Sequence, residues 1–138
     1  MDESTLNQPV SEIMNSPVRT VDQTMLLPDA ARILCHEDIG SLVVENDDIE
    51  GILTESDIVK AVGAEHDLSR MTIGQLMTTT VLSVDAESSV ETACERMRTN
   101  EVKKLPVTED GDVVGIVTTT DVTHSLVPDL DEVISSFM

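Results

Sequence analysis

Apolar residues recur along this chain at a helical period and then in short strand-like runs, and the alternation is written twice. Val90, Ala93, Cys94 and Met97 fall at i, i+3, i+4 and i+7, the stripe of an amphipathic helix. Leu27, Ala30, Ala31 and Leu34 give the same stripe 63 positions earlier. Ser88 followed by Glu91 predicts a capping box before the later helix. Pro28 takes a first-turn position in the earlier one, where a missing N–H is harmless. After each stripe come two apolar runs around a turn. Leu105–Thr108 and Val113–Thr118 flank Glu109-Asp110-Gly111-Asp112; Ser41–Val44 and Ile49–Thr54 flank Asn46-Asp47-Asp48. Asp-Gly between apolar runs predicts a hairpin. A short extended piece precedes each first helix (Val18–Val21 and Val81–Val84), and a second short helix opens near Ser56-Asp57 and Thr120-Asp121. Each copy reads β-α-β-β-α, a three-stranded sheet backed by two helices.

The duplication extends to the residues themselves. Val10-Ser11-Glu12-Ile13-Met14 returns as Ile73-Gly74-Gln75-Leu76-Met77, shifted by 63, and Gly51-Ile52-Leu53-Thr54-Glu55-Ser56-Asp57 returns as Gly115-Ile116-Val117-Thr118-Thr119-Thr120-Asp121, shifted by 64. A unit of this length is too long for a solenoid repeat and too short to be comfortably stable alone. The expected fold class is therefore α/β (α+β): two tandem β-α-β-β-α units packed sheet to sheet with pseudo-two-fold symmetry and two related clefts between them. The expected domains are 8–64 and 71–128, joined by a polar connector at His66–Thr72, with a helical tail over 129–138. Leu130, Val133, Ile134 and Phe137 share one face of that tail.

Composition narrows the function classes. Hydrophobic residues make up 40% of the chain, but Phe137 is the sole aromatic, so Val, Ile, Leu, Met and Ala must build the core. No apolar run approaches the roughly 18 residues of a membrane span, and the acidic start Met1-Asp2-Glu3-Ser4 lacks a secretory layout. A cytoplasmic location is the expectation. With 27 acidic against 8 basic residues the net charge is −19, which repels nucleic acid and anionic lipid; neither is an expected partner. Acid spread along a well-patterned chain points to a salt-adapted cytoplasm. A cation site at Asp47-Asp48 or Asp110-Gly111-Asp112, which lack calcium-loop spacing, and ordinary acidic composition are the competing readings. Cys35 and Cys94 fall in helical patterns without metal-ligand spacing and read as structural thiols, and His36, His66 and His124 are scattered. No metal site, catalytic residue or enzyme activity is expected.

The chemistry-bearing element is Gly, two apolar residues, Thr, two variable residues and Asp, at a strand-to-helix junction. A threonine hydroxyl and free N–H groups at a helix start favour an anion such as phosphate. An Asp one turn later accepts two hydrogen bonds, as from a ribose diol. The same Thr-x-x-Asp spacing is also that of a helix cap, with Thr54 or Thr118 as cap residue. Its recurrence at the same place in two repeats favours the binding reading.

Both copies resemble CBS domains, and the pair resembles a Bateman module over roughly residues 8–128. The resemblance rests on Val10–Met14 with Ile73–Met77, Ala30-Ala31 with Ala93-Cys94, Val102–Val107, and the two Gly-to-Asp junctions. It implies binding of adenine nucleotides (AMP, ADP, ATP) or an S-adenosylmethionine-like compound as regulatory ligand, in crossed clefts. The first and preferred cleft would combine Thr20, Ile39, Gly40 and Ser41 with Thr118, Thr120 and Asp121. Asp121 would hold the ribose, Thr118 and Thr120 the phosphate, and Ile39 the adenine, with Lys103 or Lys104 reaching the phosphates. The second would combine Ser83, Val102, Lys103 and Pro106 with Thr54, Ser56 and Asp57. The sequence departs from the family in lacking an Arg between Thr and Asp. Glu55 should repel phosphate at the second cleft, and Val43 stands where the other copy has Pro106. The resemblance implies an energy-sensing regulatory module, a homodimer, that signals to a partner protein. A protein-interaction scaffold with vestigial clefts is the alternative.

Overall fold

The computed structural model describes residues 3–79 and 82–126. In chain order the elements are helix α1 (Glu3–Asn7), β1 (Thr20–Val21), α2 (Leu27–Glu37), β2 (Ser41–Asn46), β3 (Asp48–Thr54) and α3 (Glu55–Gly63). They continue with α4 (Ile73–Leu76), β4 (Thr78–Thr79), β5 (Val84–Asp85), α5 (Val90–Thr99), β6 (Lys104–Glu109), β7 (Asp112–Thr118) and α6 (Thr119–Leu126). Single 3-10 turns stand at Val10–Glu12 and Leu68–Arg70. The expected tail helix over 129–138 lies outside the described residues.

These elements gather into two compact units, one of residues up to Val18 with those from Leu82 onward, the other Arg19–Val81. Each unit therefore takes a short strap from the head of the other repeat. In Arg19–Val81 the strap is α4 and β4. Ile73 is fully buried in a core with Leu27, Ala30, Leu34, Leu42, Val44 and Leu53. In the other unit Val10 is equally buried among Val84, Val90, Ala93, Met97, Leu105, Val107 and Val117. Both helical stripes face these cores as their periodicity predicts, with Leu27, Ala30 and Leu34 buried in α2 and Val90, Ala93 and Met97 in α5. Residues 3–7, which carry no element in the sequence reading, form α1 beside α5, with Leu6 against the core.

The sheets differ in strand number. Arg19–Val81 carries four strands in the order β1-β2-β3-β4, and the other unit three in the order β5-β6-β7. The expected three-stranded sheet gains an edge in the first case because the strap pairs Thr78 with Ile52 and Thr79 with Gly51. The equivalent strap residue in the other unit, Asn15, makes a single bridge to Ile116, and Pro17 two residues later has no N–H to extend a ladder. Proline explains a second asymmetry. Val43 donates its N–H to the Arg19 carbonyl and β1 pairs from Thr20; Pro106 has no such donor, and pairing of β5 with β6 begins one position later at Val84. The hairpin turns follow the sequence, with Asp47 between β2 and β3 and Asp110-Gly111 between β6 and β7, all at positive φ.

One cap is shifted from its expected place. Ser89, not Ser88, caps α5, its hydroxyl accepting from the Thr92 amide at 3.1 Å. Ser88 is committed elsewhere: its carbonyl accepts the Val10 N–H at 2.7 Å and ties the strap to the helix start. Among the described residues no helix is long and apolar enough to cross a membrane.

Candidate functional site

The two Gly-to-Asp junctions sit at the β3–α3 and β7–α6 connections, where an extended Thr turns the chain into a helix. Both are closed capping boxes. In Arg19–Val81 the Asp57 amide donates to the Thr54 hydroxyl at 3.2 Å, and the Thr54 amide donates to Asp57 Oδ2 at 2.9 Å. In the other unit the Asp121 amide donates to the Thr118 hydroxyl at 3.1 Å, and the Thr118 amide to Asp121 Oδ2 at 2.9 Å. The cap is thus real in both copies. It fixes each Asp carboxylate on the first turn of a helix, half-buried and with acceptor capacity remaining.

Each junction is fastened to the loop before the preceding hairpin. The Glu55 amide donates to the Gly40 carbonyl at 3.1 Å, and the Thr119 amide to the Lys103 carbonyl at 3.0 Å. Strand register then places Ser41 opposite Thr54 and Lys104 opposite Thr118. Arg19–Val81 accordingly brings together Gly40, Ser41, Thr54 and Asp57, with Ser56 exposed on the same helical turn. The other unit brings together Lys103, Lys104, Thr118 and Asp121, with Thr120 exposed beside them. The remaining candidates stand further along each fold. Thr20 pairs with Val43 in β1, and Ile39 packs on the core after α2. Val102 packs on the core after α5, and Pro106 is buried opposite Ile116. The Ser83 carbonyl accepts from the Arg96 guanidinium.

Two features of the site are absent from the sequence reading. The first is the reason for the junction glycine. A Cβ on Gly51 would lie 2.6 Å from the Thr78 carbonyl oxygen, and one on Gly115 would lie 2.9 Å from that of Asn15. Each glycine is where the strap crosses its strand. The second is Asn15, whose side-chain amide reaches both oxygens of Asp121, at 3.0 and 2.9 Å. The available signal was a break in the repeat: Asn15 corresponds to Thr78 under the 63-residue shift.

Asp22 and Asp67 are held below the usual carboxylate range by side-chain and then backbone hydrogen bonds, from Thr24 and Ser69 respectively. Burial, then the charges of Glu91 and Glu95, pushes the Cys94 thiol up. Cys35, expected as a structural thiol, stands exposed on α2 just past the buried Leu34. Iodoacetamide at mildly alkaline pH is therefore expected to label Cys35 ahead of Cys94, since thiolate fraction and access set the rate. Peptide mass mapping over time checks this; Cys94 labelling first would contradict the placement. No group of three or more His, Cys, Asp or Glu among the described residues is arranged to hold a metal.

The family model described as CBS domain matches residues 10–64 and 73–128. The chain belongs to the CBS domain family. Uncharacterized protein MJ0653 of Methanocaldococcus jannaschii is 37% identical over 131 residues, spanning 94% of this chain and 67% of that protein. Hypoxic response protein 1 of Mycobacterium tuberculosis is 35% identical over 118 residues, spanning 83% of this chain and 82% of the relative. Among solved structures, the CBS domain pair of protein MJ0100 in complex with methylthioadenosine and S-adenosylmethionine aligns with a TM-score of 0.76. It is 27% identical and covers 88% of this chain and 98% of that one.

Proposed function

We propose that this CBS domain pair, taken in sequence as domains 8–64 and 71–128, is a non-catalytic regulatory module for an adenosyl compound. The ligand class is an adenine nucleotide or an S-adenosylmethionine-like molecule, with its ribose at Asp57 or Asp121. The observation that carries the reading is the repeated junction: two Asp carboxylates, each fixed on a helical first turn beside a capping Thr, in a chain similar to one crystallised with two adenosyl ligands. The units differ in what surrounds the ribose acceptor. Lys103 and Lys104 stand at the Thr118–Asp121 junction and favour a phosphate-bearing ligand. Glu55 follows Thr54 directly and disfavours phosphate at Asp57, which suits an uncharged or cationic adenosyl group. Thr20, Ile39, Gly40, Ser41, Val102, Ser83 and Pro106 complete the proposed contacts. Occupancy acts on a homodimer and its partner protein by preferring one of two conformations. The net charge of −19 suits a salt-rich cytoplasm.

A second reading is favoured by one observation: the chain's own Thr–Asp hydrogen bonds close both capping boxes, so helix stability alone accounts for the motif. On that reading the chain is an interaction module. Thermal melting with AMP, ATP, S-adenosylmethionine and methylthioadenosine separates the two. A ligand at 100 times its dissociation constant stabilises the folded state by about 2.7 kcal/mol. The ligand reading predicts such a shift for at least one of the four; no shift across the panel supports the interaction module.

A further inference from the structure

The Asp121 carboxylate is already bound from within its own unit. Oδ2 accepts the Thr118 N–H, and one N–H of the Asn15 side-chain amide is shared between Oδ2 at 2.9 Å and Oδ1 at 3.0 Å. A carboxylate offers about four acceptor positions. At Asp121 two donors, the Thr118 N–H and the Asn15 N–H lying between both oxygens, cover all but the outer side of Oδ1. At Asp57 the hydrogen bonds among the described residues come to one, from the Thr54 amide to Oδ2. The difference arises at the strap. Asn15 is locked to β7 by its own backbone, its N–H donating to the Ile116 carbonyl at 2.8 Å and its carbonyl accepting from the Ile116 N–H at 3.0 Å. From that anchor its side chain reaches α6. The corresponding residue of the other strap, Thr78, pairs with Ile52 in the same way but carries no amide.

We infer that Asn15 is the residue that sets ribose selectivity at Asp121. By filling the acceptor face of the carboxylate it leaves room for one hydroxyl rather than a vicinal pair. Asp57 chelates a 2′,3′-diol, whereas Asp121 takes a single ribose hydroxyl and relies on other contacts for the rest of its ligand. The inference rests on the adenosyl reading above and deepens it. It also accounts for two near-identical junctions within one chain: they discriminate ligands differently at the sugar, before any difference in phosphate contacts.

The test isolates Asp121 in an Asp57→Ala background and compares it with Asp57→Ala/Asn15→Thr, which installs the side chain the other repeat carries. Calorimetry measures AMP, 2′-deoxy-AMP and 3′-deoxy-AMP, with S-adenosylmethionine as a second diol ligand. A hydrogen bond to a charged acceptor contributes enough that gaining one tightens binding about tenfold to a hundredfold. We expect Asn15→Thr to tighten the diol ligands by about that factor and to widen the ratio of AMP to its deoxy analogues. A merely structural role for Asn15 would move all ligands together and leave that ratio unchanged. Asn15→Ser, checked for folding by circular dichroism, is the second variant and should behave as Asn15→Thr. Binding with an unaltered ratio in both variants overturns this inference and leaves the adenosyl reading intact. Absence of binding in every variant and in the unaltered chain overturns both.

Discussion

Gly115→Ala is expected to detach the Val10–Asn15 strap from its unit. The added methyl would lie 2.9 Å from the Asn15 carbonyl oxygen and closer still to the Met14 sulfur. Met14 can turn away. The Asn15 carbonyl cannot, because it accepts the Ile116 N–H at 3.0 Å in the same bridge. Overpacking of this kind costs about 1–3 kcal/mol, and here relief requires giving up the bridge. Native-state hydrogen exchange should show the Asn15 and Ile116 amides losing protection together, with a lower melting temperature. Gly51→Ala should do the same to β4, where the clash is with the Thr78 carbonyl at 2.6 Å. Retained protection at Asn15 in Gly115→Ala would mean that the strap does not cross β7 as described.

Ile73→Ala carries the second large effect, and its location is the informative part. Ile73 opens the second repeat in sequence, yet it is fully buried in the core of Arg19–Val81 with Leu27, Leu42 and Leu53. Truncating a buried Ile to Ala destabilises by about 2–5 kcal/mol, depending on how far the cavity collapses. The loss should fall on β2 and β3, seen as faster amide exchange there, rather than on β6 and β7 of Ile73's own repeat. Faster exchange confined to β6 and β7 would contradict the strap exchange.

What the sequence made legible and what it hid divide along a physical line. Local periodicity reports which face of an element is buried, so the stripes of α2 and α5 and the two hairpins could be read directly. The cap of α5 slipped by one residue because Ser88 and Ser89 are both competent, and a long-range bond from Val10 decides between them. Periodicity does not report which core an element joins. The strap exchange, the fourth strand supplied by Thr78–Thr79 and the need for glycine at 51 and 115 all come from chain segments distant in sequence. The junction motif was legible as chemistry, since Thr and Asp at that spacing satisfy a helix start and leave carboxylate lone pairs over. Asn15 was not: its effect on Asp121 spans 106 positions, and only a mismatch between the repeats marked it.

On the proposed function, both junction carboxylates bind the ribose of an adenosyl compound. Native mass spectrometry of the protein as purified, and after addition of S-adenosylmethionine or AMP, tests it most directly because ligand mass and subunit number are read together. Adenosyl adducts are expected on the unaltered chain and lost in Asp57→Ala/Asp121→Ala, with the subunit number kept. A chain that takes up no adenosyl ligand, or a double variant that retains it undiminished, would overturn ribose binding at these carboxylates.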